Sequence, residues 1–261
     1  MIPFVIPPLQ DASILVTRPA PQAISLATRI QQLGGEALLL PAIAIEPLAC
    51  EPVTDHDLVI FVSSNAVEYG ARRVGRTEKT RIAAIGKSTA AALQAMQIAV
   101  DVVPEAESNS EALLAHPDLG LTQGSRILIV RGIGGRTLLQ ESFAALGMSV
   151  QVLEVYRRVL PPIDAALRAS LEERWRAGEL DIVTVTSVET LTNLAILLGD
   201  DGMLREIPLL VASPRIGDAA RTLGLQGEIV LANGADDESL LGALSYWRAR
   251  ARGRVFPHLI A

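Results

Sequence analysis

The feature that most constrains this chain is a set of motifs that occurs twice in the same order. The run ILVTRP, followed by LATRIQQLGGEALLL, is echoed by LIVRGI, followed by SFAALGMSVQVLE. In this pairing Arg18 aligns with Arg131, and Leu33-Gly34 with Leu146-Gly147. DLVIFVSS is echoed by DIVTVTSV, which sets Ser63 opposite Ser187. IAAIGKSTAAAL is echoed by LLVASPRIGDAA, with Gly86 opposite Ser213. VVPEAESNSEALL is echoed by VLANGADDESLL, with Glu111 opposite Glu238. Any two βα units look alike, but matches that keep their order indicate duplication of one α/β unit.

Within each copy, short apolar runs alternate with helical spacing. The runs 13–17, 36–43, 57–64, 81–86, 99–104, 126–132, 149–156, 181–187, 208–213 and 228–232 read as strands. Ile24, Ala27, Ile30 and Leu33 fall on one helical face, and Gly34-Gly35 ends it. Alternation of this kind predicts parallel sheets covered by helices. An apolar fraction of 49% with only 3% aromatics gives the aliphatic core such sheets need. A length of 261 residues suits one large domain or two small ones.

Repetition alone does not say how the copies pair. They could lie in tandem, as 1–118 and 124–261. Alternatively, the first βαβ could join the last three strands while the middle of the chain forms the other domain. PAIAIEPLACEP (41–52) and EVYRRVLPP (154–162) are extended and bounded by prolines, as two antiparallel linking strands would be.

A net charge of −6 lacks the basic footprint of a nucleic-acid binder. Only Lys79 and Lys87 among the 23 basic residues are lysines. Arginine binds carboxylate or phosphate in a bidentate manner. The single Cys50 excludes an internal disulfide and a cysteine-based zinc cluster. His56, His116 and His258 have no partner at metal spacing. MIPFVIPPLQD has no basic n-region and prolines in its apolar run, so it is a poor signal peptide. No stretch approaches the roughly 20 apolar residues that span a bilayer. These features predict a cytoplasmic protein without membrane contact. The last stretch, 246–261, alternates Arg248, Arg250, Arg252 and Arg254 with other residues and reads as a frayed helix end and tail.

In open parallel sheets, ligands bind beyond the carboxyl ends of the strands. The residues there are Thr17-Arg18, Ser63-Ser64-Asn65, Gly86-Lys87-Ser88-Thr89, Arg131-Gly132 through Arg136, Thr186-Ser187 and Ser213. They are hydroxyls, glycines and cations just ahead of helices, a composition suited to anions. Any one of these serines or threonines also serves as an ordinary helix cap, and Arg18 could form an ion pair across its own domain. RGIGGR lacks the third glycine of a dinucleotide fingerprint, since Thr137 stands there. IGKST lacks the first Walker glycine, since Arg81 stands there. No strand end carries an acid pair, and Glu68 and Glu189 fall in helices. The site binds anions without obvious acid–base machinery. That suits either a binding module or an enzyme whose substrate reacts once it is held in shape.

ILVTRP, LGGEALLLPAIAIEPL, FVSSNAVEY, AAIGKSTAAAL, VRGIGGRTLL, VYRR and TSVETLTNL together resemble the uroporphyrinogen-III synthase family over about 12–245. The resemblance implies two similar doubly wound parallel-sheet domains, flavodoxin-like, joined by a two-stranded linker, with the active site in the interdomain cleft. It favours the swapped pairing, with 1–43 and 160–261 as a discontinuous first domain and 44–159 as the second. The implied enzyme is a monomeric, cytoplasmic lyase of tetrapyrrole and haem biosynthesis. It dehydrates linear hydroxymethylbilane and closes the ring with the last pyrrole inverted, using no cofactor and no metal. The partners implied are the linear tetrapyrrole and, transiently, hydroxymethylbilane synthase. Tyr156 of VYRR would donate a proton to the leaving hydroxyl. Thr17, Arg18, Ser63, Ser64, Asn65, Gly86, Lys87, Ser88, Thr89, Arg131, Gly132, Arg136, Thr186, Ser187 and Ser213 would bind substrate carboxylates. Pro214 removes an N–H that the matching Lys87 offers, so that loop is the weaker anion site. The rival reading is a non-catalytic two-domain binder of small carboxylate anions.

Overall fold

A computed structural model describes residues 7–105, 107–199 and 202–251. In chain order the first elements are β1 (Ser13–Val16), α1 (Ala20–Gln32), β2 (Glu36–Leu39) and β3 (Ala44–Pro47). There follow β4 (Leu58–Phe61), α2 (Ser64–Gly70), β5 (Arg81–Ala84), α3 (Lys87–Ala95) and α4 (Ser110–Leu114). Next come β6 (Arg126–Gly132), α5 (Leu138–Ala145), β7 (Ser149–Val159), α6 (Ala165–Arg176) and β8 (Ile182–Val185). The remaining elements are α7 (Val188–Leu198), α8 (Met203–Glu206), β9 (Leu209–Val211), α9 (Pro214–Thr222), β10 (Ile229–Leu231) and α10 (Asp237–Ala251).

The chain divides into two compact units. One joins the residues up to Ala44 to those from Val159 onward, and the other is Ile45–Arg158. The sheet of the first unit has the order β10-β9-β8-β1-β2, with every pair parallel. The first βαβ therefore pairs with the last three strands through β1 and β8. In the second unit the order is β3-β7-β6-β4-β5, with β7, β6, β4 and β5 parallel. Val102 adds a single parallel bridge to Ala83 outside β5. The series β7-β6-β4-β5-Val102 thus repeats β2-β1-β8-β9-β10 strand for strand.

Register makes the repeat hold residue by residue. Ser13 pairs with Glu36 and Arg126 with Ser149. Ile14 pairs with Ile182, and Ile127 with Leu58. Counting along these strands sets Arg18 opposite Arg131 and Ser187 opposite Ser63. Helices α1 and α5 end alike, on Gly34 and Gly147 at φ 84° and 79°. Only glycine adopts that left-handed conformation without cost.

Each sheet is covered on both faces, because successive side chains of a strand point to opposite sides. In the first unit Ile14, Val16, Ile182 and Leu210 pack under α1 and α10, through Leu26, Ile30, Leu244 and Trp247. Leu15, Val183, Val185, Leu209 and Val211 pack on the other face against Leu171 of α6, Leu194 of α7 and Ile216 of α9. In the second unit Leu58, Ile60, Ile127 and Ile129 meet Leu113 of α4 and Phe143 of α5. Val59, Phe61, Leu128, Val130 and Tyr156 meet Ala66 and Val67 of α2 and Leu93 of α3.

Three elements differ from the sequence expectation. The run 99–104 forms only the bridge at Val102, because the Asp101 carboxylate takes the Ile82 N–H at 2.7 Å. Pro104 then offers no donor of its own. The run 149–156 and the linker 154–162 are one continuous strand, β7, to Val159. Beside it, Leu48 N–H donates to the Val155 carbonyl at 2.9 Å and Glu46 pairs with Arg157. Residue numbers rise on β3 as they fall on β7, so the two linking segments do lie antiparallel. Finally, the helix does not fray at Tyr246. It continues to Ala251, anchored by buried Trp247 and by Arg248, which donates to the Asp11 carbonyl at 2.8 Å. Arg252 and Arg254 lie outside the described residues.

Candidate functional site

Sheet β7-β6-β4-β5 ends in the richest chemistry of the chain. A cavity of about 400 Å³ opens at these carboxyl ends, lined by residues of the second unit alone. Ser63, Arg131, Gly132, Arg136 and Tyr156 of the expected site line it. Ser108, Asn109, Ser110 and Arg158 line it too, and the sequence reading missed them. The signal was present in SNS, which follows the run 99–104 and obeys the same strand-end rule. Asn109 caps α4 by accepting the Ala112 N–H at 2.7 Å.

Tyr156 lies deep in this wall. It projects from β7 onto the α2–α3 face and is only 4% exposed. Its hydroxyl lies 3.1 Å from Ser63 Oγ. The Tyr69 ring packs against it at 6.2 Å between centroids, tilted by 45°. Burial first, and then Glu68, pushes the Tyr69 phenol up from its ordinary value. The other side of Tyr156 rests on Gly132. A Cβ added there would stand 2.5 Å from Tyr156 Cε2 and Cζ, so no larger residue fits the present ring position.

The RGIGGR loop is organised by its own arginine. Arg131 donates to the Gly135 carbonyl at 3.2 Å and to Glu154 at 3.1 Å across the β6–β7 ladder. Ile133 N–H donates to the Tyr156 carbonyl at 2.9 Å, which ties the loop to the catalytic candidate's strand. Ile133 is 54% exposed at the loop tip. Arg136 forms an exposed pair with Glu111 of α4. That hydrogen bond holds the Glu111 carboxyl below the usual range and raises Arg136.

Ser63 also caps α2, by accepting the Ala66 N–H at 3.0 Å. The other expected residues of this unit sit on neighbouring strand ends, outside the cavity lining. Asn65 lies in the first turn of α2, and Ser64 donates to the Ser88 carbonyl at 3.3 Å. Gly86 caps α3 without a side chain, and an added Cβ would collide with Ser108. Lys87 and Ser88 are exposed, whereas Thr89 is buried.

In the first unit the expected residues gather at the equivalent edge of their own sheet. Thr17 is fully buried and donates to the Thr184 carbonyl at 2.5 Å. Arg18 is buried and paired with Asp237 at the start of α10. Its charge is neutralised within the unit, as a residue just before Pro19 could be. Ser187 caps α7 and lies 2.8 Å from Thr190 Oγ1. Thr186 is half-buried beside it, and Ser213 precedes α9 as its cap residue without a side-chain cap bond.

Two matching α/β units, with hydroxyls and arginines at their strand ends and one phenol set in a cavity wall, define a duplicated, doubly wound α/β protein. The comparisons with known proteins narrow the class. The family model described as uroporphyrinogen-III synthase HemD matches residues 24–242. The uroporphyrinogen-III synthase of Escherichia coli strain K12 is 35% identical over 248 residues, covering 89% of this chain and 99% of that protein. The Salmonella typhimurium protein of the same name is 36% identical over 248 residues, with the same coverage. Among solved structures, the uroporphyrinogen-III synthetase of Helicobacter pylori 26695 aligns with a TM-score of 0.57 at 16% identity, over 88% of this chain and 97% of that one. A mutant uroporphyrinogen III synthase from the extremely thermophilic bacterium Thermus thermophilus gives 0.56 at 18% identity, over 93% and 100%. The chain belongs to the uroporphyrinogen-III synthase family. Among the described residues no helix is long and apolar enough to cross a membrane.

Proposed function

We propose that the protein converts linear hydroxymethylbilane to uroporphyrinogen III with loss of water, and that Tyr156 is its proton donor. The observation that carries this reading is a phenol held at 3.1 Å from a serine hydroxyl in the wall of an arginine-flanked cavity. The substrate carries eight carboxylates and an electron-rich pyrrole carbinol. Its hydroxyl leaves as water once protonated, and the cation spreads into the ring. The linear compound cyclises unaided, but to the unflipped isomer. Most of the catalytic task is therefore geometric: the terminal ring must be attacked at its substituted carbon. The spiro intermediate then fragments and recloses. The proton given up by Tyr156 on dehydration is balanced by the one the ring loses on closure.

Ser63 would serve Tyr156, and Arg131, bonded to Glu154 and the Gly135 carbonyl, would hold the loop. Arg136 and Gly132 of the cavity would meet carboxylates, with Ser64, Asn65, Gly86, Lys87, Ser88 and Thr89 on adjoining strand ends. We assign the same role to Thr186, Ser187 and Ser213. Thr17 and Arg18 would act through the fold, since Thr17 Oγ1 donates to the Thr184 carbonyl and Arg18 is paired with Asp237.

The test is a coupled assay. Porphobilinogen and its deaminase generate the linear tetrapyrrole in situ, and the oxidised isomers are separated by chromatography. Type III isomer in proportion to added protein supports the proposal. Type I alone, with folded protein, overturns it in favour of a carboxylate-binding module.

A further inference from the structure

The two copies of the α/β unit provide an internal control on the Tyr156 site. Ser63 and Ser187 occupy the same register position, each one residue before a helix. Each accepts the N–H three residues on, at 3.0 Å, from Ala66 and Thr190 respectively. In the first unit the serine hydroxyl also has Thr190 Oγ1 at 2.8 Å, a second partner within the cap itself. Ala66 offers no such oxygen. The Ser63 hydroxyl instead lies 3.1 Å from the Tyr156 hydroxyl. A serine oxygen that already accepts a backbone N–H keeps its own proton to give away.

We propose that Ser63 is a positioning residue for Tyr156, donating its hydroxyl proton to the phenol oxygen. That donation leaves the phenol's own proton free to turn toward the cavity. It also supplies a hydrogen bond to the oxygen when the proton has gone, and bonds to charged acceptors are the stronger ones. The opposite polarity would point the Tyr156 proton into the cap and away from any substrate. The inference rests on Tyr156 being the proton donor. It adds that the Ala66 position, by lacking a hydroxyl, is what releases Ser63 for the task.

The experiment is a double-mutant cycle on the full chain, read as kcat and KM for type III formation alongside Tm. Ser63→Ala should lower kcat by about tenfold or more with KM little changed, the scale of one hydrogen bond to a developing charge. Ser63→Thr keeps the cap and the hydroxyl and should restore turnover. In the Tyr156→Phe background, Ser63→Ala should have no further effect on kcat. A purely structural serine would lower activity equally in both backgrounds, and that result overturns the proposal. Wild-type kcat in Ser63→Ala, or no rescue by threonine, overturns it as well, while a slow Tyr156→Phe would leave the Tyr156 assignment standing. Wild-type turnover in Tyr156→Phe removes both.

Discussion

Replacing Gly132 by alanine tests whether the position of the Tyr156 ring governs the chemistry. The new Cβ would lie 2.5 Å from two ring carbons and 3.0 Å from a third. Ordinary contact begins near 3.4 Å, so the ring must retreat by about 1 Å. It has little room to do so, being 4% exposed and backed by Tyr69. Overpacking of this kind costs about 1–3 kcal/mol. A shift of that size also stretches the 3.1 Å contact with Ser63 beyond hydrogen-bonding range. Misplacing a reacting group by about 1 Å costs on the order of a hundredfold in rate. Gly132→Ala should therefore lower kcat by about two orders of magnitude and Tm by a few degrees. The coupled isomer assay and a thermal melt measure both. A variant with wild-type kcat and Tm would show that the ring neither abuts residue 132 nor needs its present place.

Arg131→Gln removes the guanidinium that holds the Gly135 carbonyl and Glu154, so amide hydrogen exchange across 133–136 should quicken, and unchanged exchange would show the loop is held by other means. Phe143→Ala empties a fully buried site between α5 and its sheet and should cost about 3–5 kcal/mol in urea denaturation. Asp57, Glu111 and Asp236 are held below the usual carboxylate range, first by the Arg126 N–H, the Arg136 side chain and the Ser239 N–H respectively. A carboxyl with a depressed folded pKa stabilises above its unfolded value, and the gain is lost as pH falls through the folded one. Melting temperature should accordingly be level near neutrality and drop below about pH 4, and Asp57→Asn should make the drop shallower.

The parallel sheets were legible because strands buried on both faces must be apolar throughout, as LVIF and RILIV are. The duplication was legible because strand-end residues sit at fixed offsets from those runs. What local pattern could not supply was the competition for each hydrogen bond. Asp101 reads as a strand residue until its carboxylate takes the Ile82 N–H. Arg131 reads as an anion ligand, yet its donors already reach Glu154 and the carbonyls of its own loop. SNS at 108–110 carried too little apolar context to stand out, and only the fold brings it to the cavity. Gly86 reads as one of the anion-binding glycines, and its missing side chain also makes room for Ser108, which only the fold shows.

The copies diverge at the positions where side chains are free to change partners. Arg18 meets Asp237 in one unit, and the matching Arg131 pairs with Glu154 in the other. Ser187 is closed off by Thr190, and the matching Ser63 is left to Tyr156 by Ala66. Counted along the sequence from the paired residues Glu36 and Ser149, Ile43 falls opposite Tyr156, so the first unit carries an aliphatic residue where the second carries a phenol. Each change is a side-chain change at a matching strand end. Together they give the second unit the groups proposed for proton transfer and leave the first with hydroxyls and backbone amides, which suit carboxylate binding. A duplicated fold can specialise in this way because the strands fix where a side chain emerges, and the neighbours it meets there decide whether it caps a helix, closes an ion pair or handles a proton.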